Sequence, residues 1–189
     1  MGMKDIRIRT ACGGDAQALL EIYAPYVEHT AITFEYETPE RSDFRKRLEN
    51  TLKKYPYIVA EMDGEISGYA YTGIFKNRAA YDWAAEVSVY VKEDKRGLGI
   101  GRRLYTALEE ISRAQHILNL NACIACCDVE DEYLTNGSVA FHSRLGYSMV
   151  GKFHQCGYKF GRWYDMVWME KRIGEHRTPP EPVIAFPDL

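Results

Sequence analysis

Glu86 is a carboxylate at the start of a short apolar run of the chain. Val87, Val89 and Val91 alternate after it, as side chains do on one face of a β-strand. Glu86 therefore points to the opposite face, where a carboxylate costs free energy unless it is exposed or has a chemical task. The pattern leaves two interpretations open: a solvent-facing glutamate, or a general base that takes a proton from a substrate.

A glycine-rich basic loop follows this strand. Its glycines are Gly97, Gly99 and Gly101, and residues 92–103 carry five cations against two acidic side chains. Glycine lets the backbone approach a ligand without a Cβ in the way, and the helix predicted to begin near Gly99 points unpaired N–H groups at the loop. The loop indicates a phosphate or pyrophosphate site, or else a turn with a solvated basic face.

Two other phosphate-binding loops do not match this sequence. A Walker A loop ends in Gly-Lys-Ser/Thr, whereas Gly101 is followed by two arginines. A dinucleotide-binding loop reads Gly-x-Gly-x-x-Gly, and neither Gly97 nor Gly99 has the third glycine at that spacing. We therefore expect neither of these classes.

One histidine and three cysteines are the other candidates for chemistry. His142 lies near the end of a short predicted helix, where the dipole favours a cation, so a capping histidine is one interpretation. Cys123, Cys126 and Cys127 fall in a predicted strand without a second Cys/His pair at zinc spacing. We expect no metal and three buried free thiols, with a covalent thiol enzyme as an alternative.

The whole chain sets limits on the class of protein. Its 189 residues suit one domain, and the net charge of −3 gives no reason to expect nucleic acid as a partner. No apolar run is long enough to cross a bilayer, and residues 1–10 lack the apolar core of a signal peptide. Five cysteines, an odd number, favour free thiols and a cytoplasmic location.

The predicted elements follow the order β-α-α-β-β-β-α-β-α-β-β. Strands are expected at residues 6–9, 57–62, 66–75, 82–91, within 118–129, at 147–153 and at 158–171, and helices at 15–27, 39–52, from 99 and at 138–145. This order predicts an α/β fold with a mixed, mostly antiparallel central sheet flanked by helices. Residues 1–171 form one predicted domain, and residues 172–189 form a Pro-rich extended tail.

The order strand, Arg-x-x-Gly-x-Gly, helix resembles the coenzyme A loop of the GNAT N-acetyltransferases, whose element order the chain matches to about residue 171. Further segments resemble the phosphinothricin acetyltransferase branch: TAITF (30–34), YIVAE (57–61), GYAY (68–71), RAAYDW (78–83), EVSVYV (86–91), SVAFH (138–142), LGY (145–147) and GYKFGRWYD (157–165). The resemblance implies a homodimeric enzyme that acetylates the α-amine of a small amino-acid-like substrate with acetyl-CoA.

The resemblance also implies roles for particular residues. Glu86 stands at the position of the general base, and His142 at a position near the departing sulfur. The residues expected to bind acetyl-CoA are Val89, Tyr90, Val91, Arg96, Gly97, Leu98, Gly99, Ile100, Gly101, Arg102, Asn136 and Ser138. One departure is that Thr135 stands where the branch has Asn, so Asn136 is shifted by one residue.

The expected acceptor residues are Lys76, Arg78 and Tyr81 beside the acidic group of the substrate, and Phe34 and Tyr90 as pocket lining. Without the resemblance, a solvated loop would be the favoured interpretation of the two cations. We therefore interpret the chain as an N-acetyltransferase for a small amino acid or an analogue such as phosphinothricin or methionine sulfoximine. The alternatives are a GNAT enzyme for another amine, a peptide or an aminoglycoside, and a CoA-binding sensor without turnover.

Overall fold

The computed structural model describes residues 6–189. This part of the chain contains seven strands and four α-helices. The strands are β1 (Ile6–Thr10), β2 (Tyr57–Met62), β3 (Glu65–Ile74), β4 (Ala84–Val91), β5 (Asn119–Cys126), β6 (Ser148–Lys159) and β7 (Arg162–Arg172). The helices are α1 (Ala16–His29), α2 (Arg41–Leu52), α3 (Ile100–Ala114) and α4 (Gly137–Arg144).

The seven strands form one sheet in the order β1-β2-β3-β4-β5-β7-β6. Only β4 and β5 pair in parallel, because the chain between them crosses over through α3. All other neighbours are antiparallel. The predicted α/β fold with a mixed, mostly antiparallel sheet is confirmed.

The helices cover the sheet on both faces. Helices α1 and α2 pack Leu19 and Phe44 against Tyr69 on one face. On the other face α3 buries its predicted apolar stripe, including Leu104 and Leu108, against β2 and β3. No helix within residues 6–189 is long and apolar enough to cross a membrane.

A fork between β4 and β5 positions the site described below. The two strands pair only from Ala84 to Glu86, opposite Asn119–Asn121, and then diverge. The Lys92 N–H donates to the carbonyl of Ser67 in β3 at 2.9 Å, so the backbone polar groups of Lys92 point toward β3. Backbone polar groups of successive residues point to alternate sides of a strand. Those of Val87 and Val89 therefore point away from β3 and into the fork.

Two predicted boundaries are wrong. Residues 158–171 were expected to form one strand, but β6 extends to Lys159 and β7 begins at Arg162. Between them Phe160 and Gly161 have φ of 51° and 74°, the left-handed pair that closes a tight hairpin. A phenylalanine seldom adopts this conformation, so the residue type at position 160 does not predict a turn. Helix α2 begins at Arg41 rather than at Pro39, because Glu40 is extended.

The segment after β7 packs back onto the fold. The Trp83 indole N–H donates to the Glu181 carbonyl at 2.7 Å. The buried Gln115 amide donates to the carbonyls of Lys54 and Ile184 at 2.8 and 3.0 Å. The division into a domain of residues 1–171 and a tail of residues 172–189 stays a prediction.

Candidate active site

Glu86 lies at the fork itself. It is the last β4 residue that pairs with β5, where it faces Asn121, and its β3 neighbour is Gly73, which adds no side chain. Partial burial raises the pKa of the Glu86 carboxyl above that of an ordinary glutamate, and the nearby Lys76 cation partly offsets this shift. Glu86 is therefore a carboxylate with raised proton affinity at the fork, and the next residue, Val87, lies in the wall of the small cavity described below.

Lys76 lies among aromatic rings next to Glu86. Its ammonium is 5.1 Å from the centre of the Phe75 ring and 5.2 Å from that of Trp168. The Tyr81 ring packs edge-on against Phe75. Arg78 is exposed, and its side chain has no polar partner among residues 6–189. Of the two predicted acceptor cations, the structure brings only Lys76 into electrostatic contact with Glu86.

A small cavity of about 70 Å³ continues the fork inward, and His142 and Tyr105 lie in its wall. The His142 Nδ1 is 2.8 Å from the Ser138 carbonyl, which can only accept, so we assign the ring proton to Nδ1. Nε2 then accepts from the Tyr105 hydroxyl at 2.7 Å. Burial lowers the pKa of His142, so the ring is neutral at pH 7 and is not a cationic helix cap.

The cysteines only partly match the prediction of buried thiols. Cys126 is buried and Cys127 half-buried, but Cys123 is exposed and lies in the wall of the small cavity. Although part of the residue is exposed, the protein groups around the thiol desolvate it and, with the Glu86 charge adding to this effect, raise the pKa of Cys123 to about 11. A thiol with this pKa is protonated at pH 7 and is a poor nucleophile. In the described part of the chain, no group of His, Cys, Asp or Glu side chains is placed to hold a metal ion.

A larger cavity of about 560 Å³ lies between β4, α3 and α4. Ile32, Val89 and Ser138 belong to the walls of both cavities, so the two form one continuous cleft. Four cations line the larger cavity: Lys95, Arg96, Arg102 and Arg144. This end of the cleft is therefore suited to an anion with several charges.

The glycine-rich loop forms the floor of the larger cavity. Gly97 and Gly99 have φ of 77° and 84°, the left-handed region that favours glycine. Gly99 is the N-cap of α3 and provides no side-chain cap. The first hydrogen bond of the helix runs from the Arg103 N–H to the Gly99 carbonyl. The preceding N–H groups of α3 are thus free to bind a phosphate. Gly101 has a packing role, because a Cβ there would lie 3.1 Å from the Phe141 ring.

Comparison with known proteins fits this geometry. The family model described as an acetyltransferase (GNAT) domain matches residues 8–168. The chain belongs to the GNAT acetyltransferase family. It is an N-acetyltransferase, and acetyl-CoA is its co-substrate. The free N–H groups of α3 and the four cations of the larger cavity suit the phosphates of that molecule, and the backbone of β4 in the fork suits its amide-bearing arm.

Individual relatives match over nearly the full chain. Phosphinothricin N-acetyltransferase of Streptomyces viridochromogenes is 34% identical over 95% of this chain and 94% of its own length. L-methionine sulfoximine/L-methionine sulfone acetyltransferase of Pseudomonas aeruginosa is 35% identical over 92% of this chain and 98% of its own. The crystal structure of a phosphinothricin acetyltransferase from Sinorhizobium meliloti, in complex with acetyl-CoA, has a TM-score of 0.84 at 31% identity, covering 97% and 96% of the two chains.

The structure distributes the predicted CoA-binding residues of this GNAT enzyme unevenly. The larger cavity is lined by Val89, Val91, Arg96, Gly97, Gly99, Ile100, Gly101, Arg102 and Ser138. Tyr90 lines the small cavity instead. Leu98 is exposed, and among the described residues it is absent from both cavity walls. Arg103 is the last cation of the basic loop, residues 92–103. Its side chain donates to the Ile6 carbonyl at 3.0 Å.

Asn136 has a structural task in this position. Its side-chain amide accepts from the Cys127 N–H at 3.3 Å and donates to the Cys127 carbonyl at 2.9 Å. Thr135, which replaces the family asparagine, is the residue that lines the larger cavity. The shift of one residue therefore gives the amide to the end of β5 and the hydroxyl side chain to the cleft.

Phe34 lies against the end of β6 rather than in a cavity wall. A Cβ on Gly157 would be 2.2 Å from the Phe34 ring, so the ring occupies the space above this glycine. The loop residue in the walls of both cavities is Ile32.

Sequence reasoning also missed Tyr26, which lines the larger cavity. Its hydroxyl donates to the Val91 carbonyl at 2.6 Å, and Arg96 lies over its ring at 5.0 Å. Its helical spacing predicts only burial, because both contacts come from residues distant in sequence.

Proposed function

We propose that this GNAT enzyme acetylates the α-amine of a small amino acid or of an analogue such as phosphinothricin or methionine sulfoximine. The observation that carries the proposal is the electrostatic interaction of Lys76 with Glu86, a half-buried carboxylate at the fork where β4 and β5 stop pairing. One group can take a proton from an ammonium, and the other can attract an acidic group of the same acceptor. The substrates named for the relatives from Streptomyces and Pseudomonas carry both an amine and an acid or its analogue.

The residues of the cleft divide the work. Acetyl-CoA, when bound, supplies the acetyl thioester. The first turn of α3 holds the phosphates, and the backbone of Val89 orients the arm in the fork. Glu86 accepts the proton of the acceptor ammonium, directly or through water, because only a neutral amine is nucleophilic. No residue of the chain forms a covalent intermediate in this scheme.

His142 stays a proposed catalytic residue with a narrower role than proton donor. Both ring nitrogens already hold hydrogen bonds, to Ser138 and to Tyr105, and the pKa of the ring is lowered. The neutral ring can orient the Tyr105 hydroxyl at the inner end of the cleft. Proton delivery from Nε2 would require this hydrogen bond to open and the ring to be charged.

Among the proposed acceptor residues, Lys76 is the best supported. Phe34, Arg78, Tyr81 and Tyr90 keep the roles expected from the family, as proposals. Because the Arg78 side chain is exposed and has no polar partner among residues 6–189, it is free to turn toward the acidic group of a bound acceptor.

An acceptor panel tests the function. Purified enzyme with acetyl-CoA is assayed for thiol release and for N-acetyl product by mass spectrometry. The panel contains L-phosphinothricin, L-methionine sulfoximine and L-methionine sulfone, the decarboxylated amine of the last, a short peptide and an aminoglycoside. We expect amino-acid acceptors to exceed the matched amine in kcat/KM, and Lys76→Met to reduce that ratio. Equal efficiency for the amino acid and its amine would overturn the substrate class, and binding without any turnover would favour a sensor.

We also propose a cytoplasmic homodimer. β6 is the edge strand of the sheet, and with β7 it exposes five large apolar side chains: Met149, Val150, Phe153, Tyr158 and Trp163. Such an edge is suited to association with a second copy. The five free cysteines support a reducing compartment. Light scattering of the wild type and of Phe153→Asp tests the dimer, because a monomeric wild type would contradict it.

A further inference from the structure

Lys159, at the end of β6, is a buried lysine that the mechanism above does not use. Only 2% of its surface is exposed. Its ammonium donates three hydrogen bonds, to the carbonyls of Val27, Thr30 and Thr33 at 2.7, 2.8 and 2.8 Å. An ammonium has three donors, so Lys159 is fully satisfied.

The charge of Lys159 is balanced by dipoles rather than by a paired carboxylate. Within residues 6–189, no carboxylate forms a salt bridge with it; Glu35 acts on it only at longer range. Val27 lies in the last turn of α1 and Thr30 is its C-cap, where the helix dipole favours a cation. Burial still lowers the pKa of Lys159, whereas the three carbonyl contacts favour its charged form.

Two of the three bonds, to Thr30 and Thr33, hold residues 30–36, which we call the acceptor loop, and the third joins Lys159 to the end of α1 at Val27. Ile32 of this loop lies in the walls of both cavities. Phe34 lies over Gly157, and the Tyr36 hydroxyl donates to the Tyr158 carbonyl. The last residues of β6 thus hold the acceptor loop at three places, and Lys159 is the only one of them that acts through charge.

We propose that Lys159 is a positioning residue, which fixes the acceptor loop as one wall of the cleft and so sets the geometry in which the acceptor meets Glu86. The part that concerns the acceptor rests on the proposed function. The part that concerns the loop does not, because it follows from the three carbonyl contacts alone. Lys159 touches neither cavity in the described structure, so it acts through the loop.

The test compares Lys159→Met with Lys152→Met. Methionine removes the three donors while keeping an unbranched side chain. Lys152 lies on the same strand, but its ammonium pairs with Asp128 and Asp165 at 2.6 Å and does not contact the acceptor loop. Amide hydrogen exchange of residues 30–36, acetyl-CoA affinity, and kcat and KM for the best acceptor are measured for each variant.

We expect Lys159→Met to speed exchange of the acceptor loop at least tenfold and to lower kcat/KM for the acceptor about 100-fold, the scale of a ~1 Å misplacement. The loss should appear mainly in kcat, because the acceptor is misplaced rather than left unbound, with acetyl-CoA affinity within about twofold and no comparable change in Lys152→Met. If Lys159→Met does not fold, Tyr36→Phe, which removes an exposed tie to β6, should shift both readouts in the same direction by less.

Two results would overturn the proposal. Unchanged exchange of residues 30–36 would show that Lys159 does not hold the loop, whatever the acceptor is. Faster exchange with an unchanged kcat for the acceptor would show a purely structural tie. If no acceptor is found, the exchange experiment still tests the positioning of the loop, so failure of the proposed function is recognised separately.

Discussion

Glu86 and Lys76 carry opposite charges that interact. Burial raises the pKa of Glu86 and the Lys76 cation lowers it, so the protonation of Glu86 depends on both. A base with a raised pKa is a stronger proton acceptor but is ionised over a narrower pH range. Activity should therefore fall as pH decreases through the pKa of Glu86.

This coupling gives the first prediction. In Lys76→Met the carboxylate loses its cation, so the pKa of Glu86 should rise and the acidic limb of kcat/KM should move to higher pH. The pH–rate profile is measured with an amine acceptor that carries no acidic group, so that loss of the contact between Lys76 and the substrate does not obscure the shift. Arg78→Met, at an exposed cation without a resolved effect on Glu86, is the control. A limb that stays in place in Lys76→Met would show that the two charges do not interact.

The Cys123 thiol supplies a second prediction. Its pKa of about 11 keeps it protonated at pH 7, although it lies in the wall of the small cavity. Cys123→Ser should therefore retain turnover within about threefold, because a general base mechanism needs no thiolate. Rapid-quench mass spectrometry of the wild type should find no acetyl-enzyme. A burst of CoA release without acceptor, lost in the serine variant, would instead support a covalent thiol enzyme.

At the scale of elements, the glycine-rich turn before α3 joins backbone conformation to anion binding. Gly99 has φ of 84°, and nothing lies within 4 Å of where its Cβ would be. A side chain at this position is therefore opposed by backbone strain and not by crowding. The strain and the loss of binding should appear together, because both depend on the direction in which the first N–H groups of α3 point.

Gly99→Ala tests this element. The left-handed conformation costs an L-residue about 1–2 kcal/mol, so the free energy of unfolding should fall by about that amount in urea titrations. Acetyl-CoA affinity, measured by calorimetry, should fall at least about tenfold. Gly151→Ala on β6 is the control, since its Cβ also meets nothing within 4 Å and its φ is not positive. Equal affinities in the two variants would contradict the assignment of the loop.

The elements also show what could be predicted from the sequence. The glycine loop and the alternation of β4 were readable because their chemistry lies within a few consecutive residues. Lys159 was not, because its partner Val27 lies 132 residues away and nothing local marks a lysine as buried. The hairpin at Phe160 was missed because phenylalanine seldom adopts a left-handed conformation. The structural role of Asn136 was missed because its partner Cys127 lies nine residues away in the sequence.

At the scale of the whole molecule, the last residues of the chain complete the core on the side of Gln115. Gln115 is fully buried, and one of the two bonds of its amide N–H₂ group goes to Ile184. The Ile184 N–H donates to the Gln115 carbonyl at 3.0 Å, and Val183 packs on the core. The segment therefore contributes to stability.

Removal of residues 178–189 should lower the free energy of unfolding by about 1–3 kcal/mol, the penalty for leaving a buried polar group unsatisfied. Acetyl-CoA affinity should stay within about twofold, because no residue of this segment lines the larger cavity. Removal of Asp188 and Leu189 alone, both exposed, should change stability by less than about 0.5 kcal/mol. The free energy of unfolding is measured by urea titration. An unchanged urea midpoint in the longer truncation would show that the segment does not support the fold.

The account as a whole depends on chemistry at the fork, where β4 and β5 stop pairing at Glu86. The most direct measurement is turnover of Glu86→Gln at pH 7 with saturating acetyl-CoA. The amide keeps the size of the side chain but cannot accept a proton. We expect turnover to fall about 10²–10⁴-fold while acetyl-CoA affinity changes by less than about twofold. Turnover near that of the wild type, with the chemical step shown to limit the rate, would contradict the account.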